Sequence, residues 1–478
     1  MLQSKDRTMP LLNDIHSALN PTKVSRVEQP ASVGDLQTLV RDAGRARYSL
    51  SCAGGRHAMG GQQFAHGHLH VDTRNLKSVI ATDTARGLLH IEAGANWGEV
   101  IEATRTMTSP DGVRWAIRQK QTGVDAVTLG GSISANAHGR GLAMQPLVED
   151  IEDLTLVDAQ GDLLRCSRSE NAELFSLVVG GYGLFGIVCA VTLRLTRRRR
   201  VVRLVDVLDL SDAMNAAWRR YGQGCIYGDF QFVIDPADPA FLQRGVFASY
   251  LPVDDEGEEG EDDTAADLQP DAWLHLLRLA HIDKATAFRL YAQHYVGTHG
   301  RRYWSDTMQL STYLPHYAEF LAAQAKSEGP AAEVEPETLV IGEHYVPHDR
   351  LDRYMAAASA VLRDQGVEVI YGTIRSILRD TTTFLPWAKQ DFACIVFNLR
   401  TRHDASGRGR TAAAFRGLID AALDLDGSFF LTYHRYATRE QLLRAYPNLP
   451  DFLAAKRRFD PQDRFISDWY LHQRKLLG

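Results

Sequence analysis

Apolar and polar positions in the first 200 residues alternate in short runs, which predict many strands and few helices. Helical spacing of apolar residues predicts helices at 32–42 and 96–106, the second with Asn96 as N-cap and Glu99 at its third position. Alternating or continuous apolar runs predict strands at 48–52, 68–72, 78–81, 88–92, 151–158, 162–166 and 187–195. Helices do not alternate regularly with strands as they do in a doubly wound sheet, so we expect an α+β fold.

After Arg200 the pattern changes to longer helices between strands. It predicts strands at 202–210, 230–235, 338–346, 367–375 and 394–401, and helices at 273–291 and 318–327. We therefore place a domain boundary near residues 197–200, with one domain over 20–200 and a second over 201–478. Residues 444–470 combine prolines with aromatic residues, which favours a terminal segment that returns to the first domain.

Composition and charge narrow the class of protein. The 478 residues are 45% apolar and 23% charged with a net charge of −6, which excludes a disordered or collagen-like chain. No secretion signal and no apolar run of roughly 18 residues is visible, so we expect a cytoplasmic protein without a membrane span. The five cysteines have neither CxxC nor Cys/His metal spacing, which predicts free thiols and no metal site.

Two charged runs stand out. Residues 197–200 are four arginines that follow an apolar run in an acidic protein, which favours a solvated strand end over a nucleic-acid site. Residues 254–263 contain eight acids in ten positions and predict a mobile surface insertion. Their spacing differs from that of a calcium-binding loop.

Three glycine-rich runs carry the candidate chemistry. Residues 52–62 read CAGGRHAMGGQ and residues 128–141 read TLGGSISANAHGRG. Glycines remove Cβ bulk and permit positive φ, so the N–H groups of two such loops could converge on one pyrophosphate. Residues 174–188 read LFSLVVGGYGLFGIV, which suits backbone lying flat against a planar ring. None has the spacing of a dinucleotide or nucleoside-triphosphate fingerprint, and each run alone is equally typical of a turn.

Together and in this order, the three runs resemble the FAD-binding fold of the vanillyl-alcohol oxidase and p-cresol methylhydroxylase (PCMH) family. That family has a GG-x-H loop, then a T-x-GG loop ending in HG, then an LF…GG-x-G-x-FGIV run. The resemblance implies that FAD is the cofactor and that a PCMH-type domain binds it. It also implies covalent attachment of the flavin through His57, although some relatives lack this histidine and bind FAD non-covalently. The cofactor-binding residues that it implies are Ala53, Gly54, Gly55, Arg56, His57, Ala58, Gln62, Thr128, Gly130, Gly131, Ser134, His138, Gly139, Gly186, Ile187 and Val188.

The second half resembles the aldonolactone and alditol oxidases of the same family. GEHYVP at 342–347 is similar to their E-x-E-Y-x-V-P strand, YGTIR at 371–375 to their E-I-R strand, and the FDP run at 459–461 to their D-P-x-x-x-F terminus. TYHR at 432–435 lies where they carry H-W-G-K. Thr373 replaces their glutamate, and Arg435 or Tyr436 stands near their lysine, so the sugar-binding residues differ.

The resemblance implies a two-domain α+β FAD-dependent oxidoreductase whose second, substrate (cap) domain covers the flavin ring. The expected reaction is hydride transfer to flavin N5 from a CH–OH group of a small polar substrate, such as a sugar alcohol or lactone. The partners are that substrate and O₂ or another electron acceptor. The candidate catalytic residues are Arg375 as electrostatic partner, His434 as base and Glu343 as carboxylate.

Several alternatives stay open at this point. The first loop is also similar to that of cytokinin dehydrogenases and hydroxynicotine oxidases, which oxidise CH–NH groups. The loop with His138 also resembles the decaprenylphosphoryl-ribose oxidase type. A flavin-binding redox module without turnover is a further alternative, and self-association is left open.

Overall fold

The computed structural model describes residues 9–253, 268–311 and 336–478. The acidic run at 254–263 and the predicted helix at 318–327 lie outside these ranges. Within them the protein has both helices and mostly antiparallel sheets, so the predicted α+β class is confirmed.

The helices, α1 to α12 in chain order, are Val33–Arg45, Trp97–Arg105, Leu129–Ala135, Ala172–Val178, Leu210–Gly222, Pro270–Ile282, Lys284–Gly297, Leu351–Gln365, Ala405–Leu423, Arg439–Ala445, Leu449–Phe459 and Asp468–Leu477. The strands β1 to β10 are Leu11–Leu12, Thr22–Lys23, Arg26–Glu28, Leu50–Ala53, Leu69–Asp72, Val79–Asp83, Leu88–Glu92, Trp115–Ala116, Ile151–Val157 and Leu163–Ser167. The strands β11 to β20 are Ile187–Arg194, Thr196–Arg197, Arg200–Asp209, Tyr227–Phe232, Arg244–Val253, Arg302–Trp304, Glu337–Val346, Val369–Ile377, Phe392–Arg402 and Ser428–Phe429.

Three larger sheets organise these strands. A parallel sheet has the order β3-β5-β4, and an antiparallel sheet has the order β10-β9-β11-β7-β6. The third sheet has the order β16-β13-β15-β14-β18-β19-β17-β20. The first two sheets belong to the part of the chain before residue 195 and the third to the part after residue 199, so the cofactor loops and the candidate catalytic strands come from different sheets.

Local signals account for most element ends. Asn96 caps α2, accepting from the Glu99 N–H while the Glu99 side chain accepts from the Asn96 N–H, as its sequence predicts. The predicted helix at 273–291 is two helices, because Asp283 ends α6 and its side chain caps α7. The glycine-rich run at 128–141, expected to be a loop, contains α3. Strand β15 was not predicted.

The chain passes from the first sheets to the third at the arginine run. Strand β12 pairs with β8, and β13 enters the eight-stranded sheet at Arg200. Arg198 and Arg200 lie 4.3 and 4.6 Å from the centroid of the Trp304 ring, and Arg198 Nε donates to Asp306 at 2.9 Å. Arg200 is 9% exposed, so the expectation of a solvated strand end is wrong there. The sequence could not show it, because Trp304 and Asp306 come from a segment 100 residues further on.

The C-terminal segment lies against the parallel sheet. Leu50 N–H donates to the Arg464 carbonyl at 2.6 Å, and Ile466 N–H donates to the Leu50 carbonyl at 2.9 Å, which makes a parallel bridge between Leu50 and Phe465. Phe465 is 1% exposed and packs in a cluster with Leu36 and Val71. Strand β4, which leads into the first glycine-rich loop, is thus held from both sides.

Two sequence expectations concern cysteines and membranes. All five cysteines are free, as predicted. In the described ranges, no helix combines the length with the apolar composition that a membrane crossing requires.

Candidate functional site

A cavity of about 840 Å³ lies where the glycine-rich runs meet the eight-stranded sheet. Ligand pockets commonly measure about 300–1,000 Å³. Every predicted cofactor-binding residue except His138 and Gly139 lines this cavity. Of the predicted catalytic residues, Glu343 and Arg375 line it and His434 does not. The structure thus brings the three runs of the first half to one space, together with two of the predicted catalytic residues of the second half.

The first two loops approach each other too closely for any side chain at Gly54. A Cβ there would lie 2.0 Å from Thr128 Oγ1, and a Cβ at Gly55 would lie 2.6 Å from the Ala126 carbonyl oxygen. Thr128 Oγ1 in turn accepts from Gly131 N–H at 3.2 Å. Glycine at these positions therefore sets the shape of this wall by letting two backbones meet.

The third glycine-rich run, residues 174–188, reaches the cavity through a turn that requires glycine. Gly186 has φ +151°, and a Cβ there would lie 2.5 Å from Leu156 Cδ1. Of the amino acids, only glycine tolerates this conformation and this contact. The turn that it makes brings Ile187 and Val188, at the start of β11, to the cavity wall.

His57 lies in the first loop beside a second histidine. His57 Nδ1 is 2.7 Å from His16 Nε2, and His16 belongs to a segment before residue 20, where the predicted domain begins. Burial, followed by the effect of His16, lowers the pKa of His57 to about 3, and burial lowers the pKa of His16 to about 4. Both rings are therefore neutral at pH 7. Nothing in the spacing of the sequence indicated the contribution of His16.

Glu343 is the centre of a buried hydrogen-bond cluster. Its Oε1 lies 2.8 Å from His138 Nε2 and accepts from the Tyr345 hydroxyl, and its Oε2 accepts from the Tyr433 hydroxyl at 3.2 Å. Burial opposes the charge of Glu343, but attraction to His138, hydrogen bonds from His138 and Tyr345, and the nearby Arg375 lower its pKa below the usual value. Glu343 is therefore an ionised carboxylate held on the cavity wall.

His138 serves this cluster rather than the cavity surface. It is 1% exposed and lies 3.0 Å through Nδ1 from the Gly139 carbonyl oxygen. Cys394 Sγ lies 3.5 Å from Glu343 Oε1, so three groups capable of binding a metal are within 4.8 Å of one another. The sequence spacing did not reveal this juxtaposition, and the hydrogen bonds among the three groups account for it.

Arg375 lines the cavity and carries a buried donor. The residue is 8% exposed, and its Nε has no hydrogen-bond partner among the described residues. Arg140 Nε, of another residue on the wall, likewise has none within those ranges. A buried donor without a partner costs free energy, about 1–3 kcal/mol, so these atoms are suited to bind a ligand oxygen.

A polar group on β14 was missed by sequence reasoning. Asp229 Oδ2 accepts from Gln231 Nε2 at 2.5 Å, and Asp229 Oδ1 lies 3.9 Å from Arg140 Nη1. All three residues line the cavity. The signal was available, because Asp229 and Gln231 are two apart in a strand whose other members are apolar, and such residues share a face.

His434 lies behind the wall. Its ring centroid is 4.1 Å from that of Phe415 and 5.0 Å from that of Tyr436. Burial, followed by the effect of His344, lowers its pKa to about 3. The residue before it, Tyr433, reaches the cavity instead.

We expect His434→Phe to reduce the acid sensitivity of the fold. Between pH 6.5 and about 3 the unfolded chain takes up a proton that the folded His434 does not, so the free energy of unfolding falls as the pH falls. Over the interval from pH 6.5 to 5 this amounts to about 2 kcal/mol at about 1.36 kcal/mol per pH unit.

Denaturant unfolding of the wild type and His434→Phe at both pH values measures this difference. The exposed His66→Phe is the control and should keep the wild-type pH dependence. Equal pH dependence in the wild type and His434→Phe would show that His434 does not resist protonation.

The geometry of this cavity fits FAD. Two glycine-rich backbones meet at the cavity wall, a third glycine-rich run places Gly186, Ile187 and Val188 on it, and residues of the wall carry buried donors without partners among the described residues. A family model described as an FAD binding domain matches residues 24–167. Residues 24–167 are an FAD-binding domain. Its cofactor is FAD.

Curated proteins similar to the chain are oxidoreductases. An uncharacterized oxidoreductase, ORF5 in the fasciation locus of Rhodococcoides fascians, is 32% identical over 179 residues, 36% of this chain and 38% of that protein. Cytokinin dehydrogenase 2 of Arabidopsis thaliana is 29% identical over 163 residues, 33% of this chain and 31% of that protein. Mitochondrial L-galactono-1,4-lactone dehydrogenase of the same plant is 25% identical over 211 residues, 43% of this chain and 33% of that protein. The matches therefore span between 31% and 38% of the length of these relatives.

Proposed function

We propose that the chain is an FAD-dependent oxidoreductase that removes two electrons from a CH–OH group. The observation that supports this function is the buried Arg375 Nε, a donor without a partner among the described residues, on the wall of the cavity that the FAD-binding loops also line. A substrate oxygen is the natural acceptor for it. The similarity to a lactone dehydrogenase is in line with this proposal.

The residues of the chain bind the substrate and move its proton. Bound FAD supplies a two-electron acceptor for the hydride of the substrate carbon, and O₂ or another acceptor then takes the electrons. Arg375 Nε binds the substrate oxygen and stabilises the charge that develops there. The hydroxyl proton passes to Tyr433 Oη while the Tyr433 proton passes to Glu343 Oε2, along the hydrogen bond of 3.2 Å. His138 keeps Glu343 ionised before this transfer.

Anaerobic reduction of bound FAD tests the proposal. The purified protein is mixed with matched alcohols and amines that share one carbon skeleton, and bleaching of the flavin absorbance is followed. We expect bleaching by alcohols, with the corresponding carbonyl compound as product. Bleaching by amines alone would overturn the choice of CH–OH. If neither class of compound nor any artificial donor bleached the flavin, a flavin-binding module without turnover would be favoured.

Oxidation of a CH–NH group is the second candidate. Asp229 on the cavity wall is buried and keeps Oδ1 at 3.9 Å from the closest arginine nitrogen, so it could accept from an amine N–H. The similarity to cytokinin dehydrogenases supports the same reading. Asp229→Asn separates the two candidates, because it should impair reduction by amines more than reduction by alcohols.

We further propose that His57 bonds covalently to FAD. Its ring lines the cavity and is neutral at pH 7, which leaves a ring nitrogen able to bond to carbon. We expect the yellow colour of acid-precipitated protein to stay in the pellet for the wild type and to move to the supernatant for His57→Ala. The exposed His66→Ala serves as control and should keep the colour in the pellet. Colour in the wild-type supernatant would mean non-covalent FAD.

A further inference from the structure

A second, smaller cavity adjoins the main one between two helices and the eight-stranded sheet. It measures about 200 Å³ and lies under α6 and α7. Its walls are mostly apolar. The sheet contributes Phe232 and Ile370, the segment after β14 contributes Ile234, and the helices contribute Leu276, Ala280 and Ala287. Apolar cavities of about 150 Å³ stay dry and bind molecules of the size of benzene. This space is therefore suited to a compact apolar group.

The two cavities share part of their walls. Gln231, Trp273, Leu277 and Tyr371 line both of them. A group bound in the smaller cavity can thus belong to a molecule whose other end lies in the main cavity.

Polar atoms at this boundary are already bonded to one another. Tyr291 OH donates to Gln231 Oε1 at 2.5 Å, while Gln231 Nε2 donates to Asp229 at 2.5 Å and lies 3.5 Å from Tyr371 OH. Hydroxyl groups of a polyol placed beyond the boundary would face apolar side chains and lose their hydrogen bonds to water, which is costly. The boundary thus separates a polar region from an apolar one.

We infer that the smaller cavity binds an apolar part of the substrate, a ring or short chain of about the size of benzene, while the reacting group lies in the main cavity. This inference rests on the proposed function for the position of the reacting group. It gives a substrate class, an alcohol with an apolar substituent, that differs from the small polar substrate expected from sequence. On this inference, the cavity under α6 and α7 holds part of the substrate rather than solvent.

Calorimetric titration of the FAD-loaded protein with straight-chain 1-alkanols, from ethanol to hexanol, tests the inference without requiring turnover. We expect Kd to fall about fourfold for each added methylene until the cavity is filled. Glycerol, a polyol, should show no comparable gain over ethanol.

Ala287→Leu fills the cavity from α7 and should remove most of this dependence on chain length. Ala285→Leu is the matched control, because Ala285 is exposed on the same helix and does not line the cavity. Ala280→Leu fills the space from α6 and replaces Ala287→Leu if that variant does not fold.

The outcomes are distinct. A wild-type Kd that does not change with chain length, or the same dependence in both filled variants, would overturn the inference. Failure of the proposed function would instead appear as FAD that no alcohol reduces, whatever the affinities are. Binding that tightens with chain length only in the wild type and Ala285→Leu would support the inference.

Discussion

Arg375→Ala should slow the anaerobic reduction of bound FAD by alcohols about 10²- to 10³-fold, the usual cost of removing one donor that stabilises developing oxyanion charge. The side chain lies 8% exposed on β18 with its Nε unpartnered within the described ranges, so little of the fold depends on that atom. Arg375→Lys should recover part of the rate, because an ammonium keeps the charge but not the guanidinium geometry. Stopped-flow absorbance of the flavin measures these rates.

The same variant has a second readout in its pH profile. Arg375 helps to lower the pKa of Glu343, so its removal raises that pKa. If ionised Glu343 is required, the acid limb of the rate profile should move to higher pH in Arg375→Ala. Arg379→Ala, an exposed change four residues away, should leave both rate and profile unchanged. If bound FAD were reduced as fast in Arg375→Ala as in the wild type, Arg375 would have no role in the mechanism.

Gly54→Ala should weaken FAD binding, because the new Cβ would lie 2.0 Å from Thr128 Oγ1 and push the two glycine-rich loops apart. Overpacking of this kind costs about 1–3 kcal/mol, which corresponds to a loss of affinity of about 5- to 150-fold. The measurement is a fluorescence titration of apoprotein with FAD in the His57→Ala background, so that no covalent bond obscures Kd.

A second alanine variant provides the comparison. Gly34→Ala, in the first turn of α1, places its Cβ no closer than 3.7 Å to other atoms and should leave FAD affinity unchanged while slightly stabilising the fold. If Gly54→Ala bound FAD as tightly as Gly34→Ala, the close approach of the loops would not shape the cofactor site.

Local signals predicted the elements of the fold better than its assembly. The capping box at Asn96 and the strand at 88–92 follow from neighbouring residues alone, and both are present. Strand β15 was missed although it pairs along its whole length with β13. The burial of Arg200 was not predicted, because the Trp304 ring against which it packs is distant in sequence. Pairing and burial of this kind depend on contacts that spacing does not encode.

The candidate site, too, could be predicted from local sequence only in part. The glycine-rich runs predicted the cofactor loops, because a position without room for a Cβ requires glycine, as at Gly54 and Gly186. Side chains whose position depends on a contact with a distant residue left no comparable pattern in the sequence. His16 reaches His57 from the N-terminal segment, and Tyr433 rather than the adjacent His434 faces the cavity, which depends on the path of an irregular segment. Among the side chains that were missed, Asp229 and Gln231 carried a readable signal, which is their polar alternation in an otherwise apolar strand.

The bridge between Leu50 and Phe465 has a consequence for folding during synthesis. These residues are 415 positions apart, yet the bridge flanks the strand that leads directly into the Gly54 loop. Contacts of such long sequence separation form slowly, and residue 465 is synthesised 415 positions after residue 50. The strand that leads into the Gly54 loop is therefore expected to lack this bridge until residue 465 has been synthesised, which places completion of this wall of the cavity late in folding.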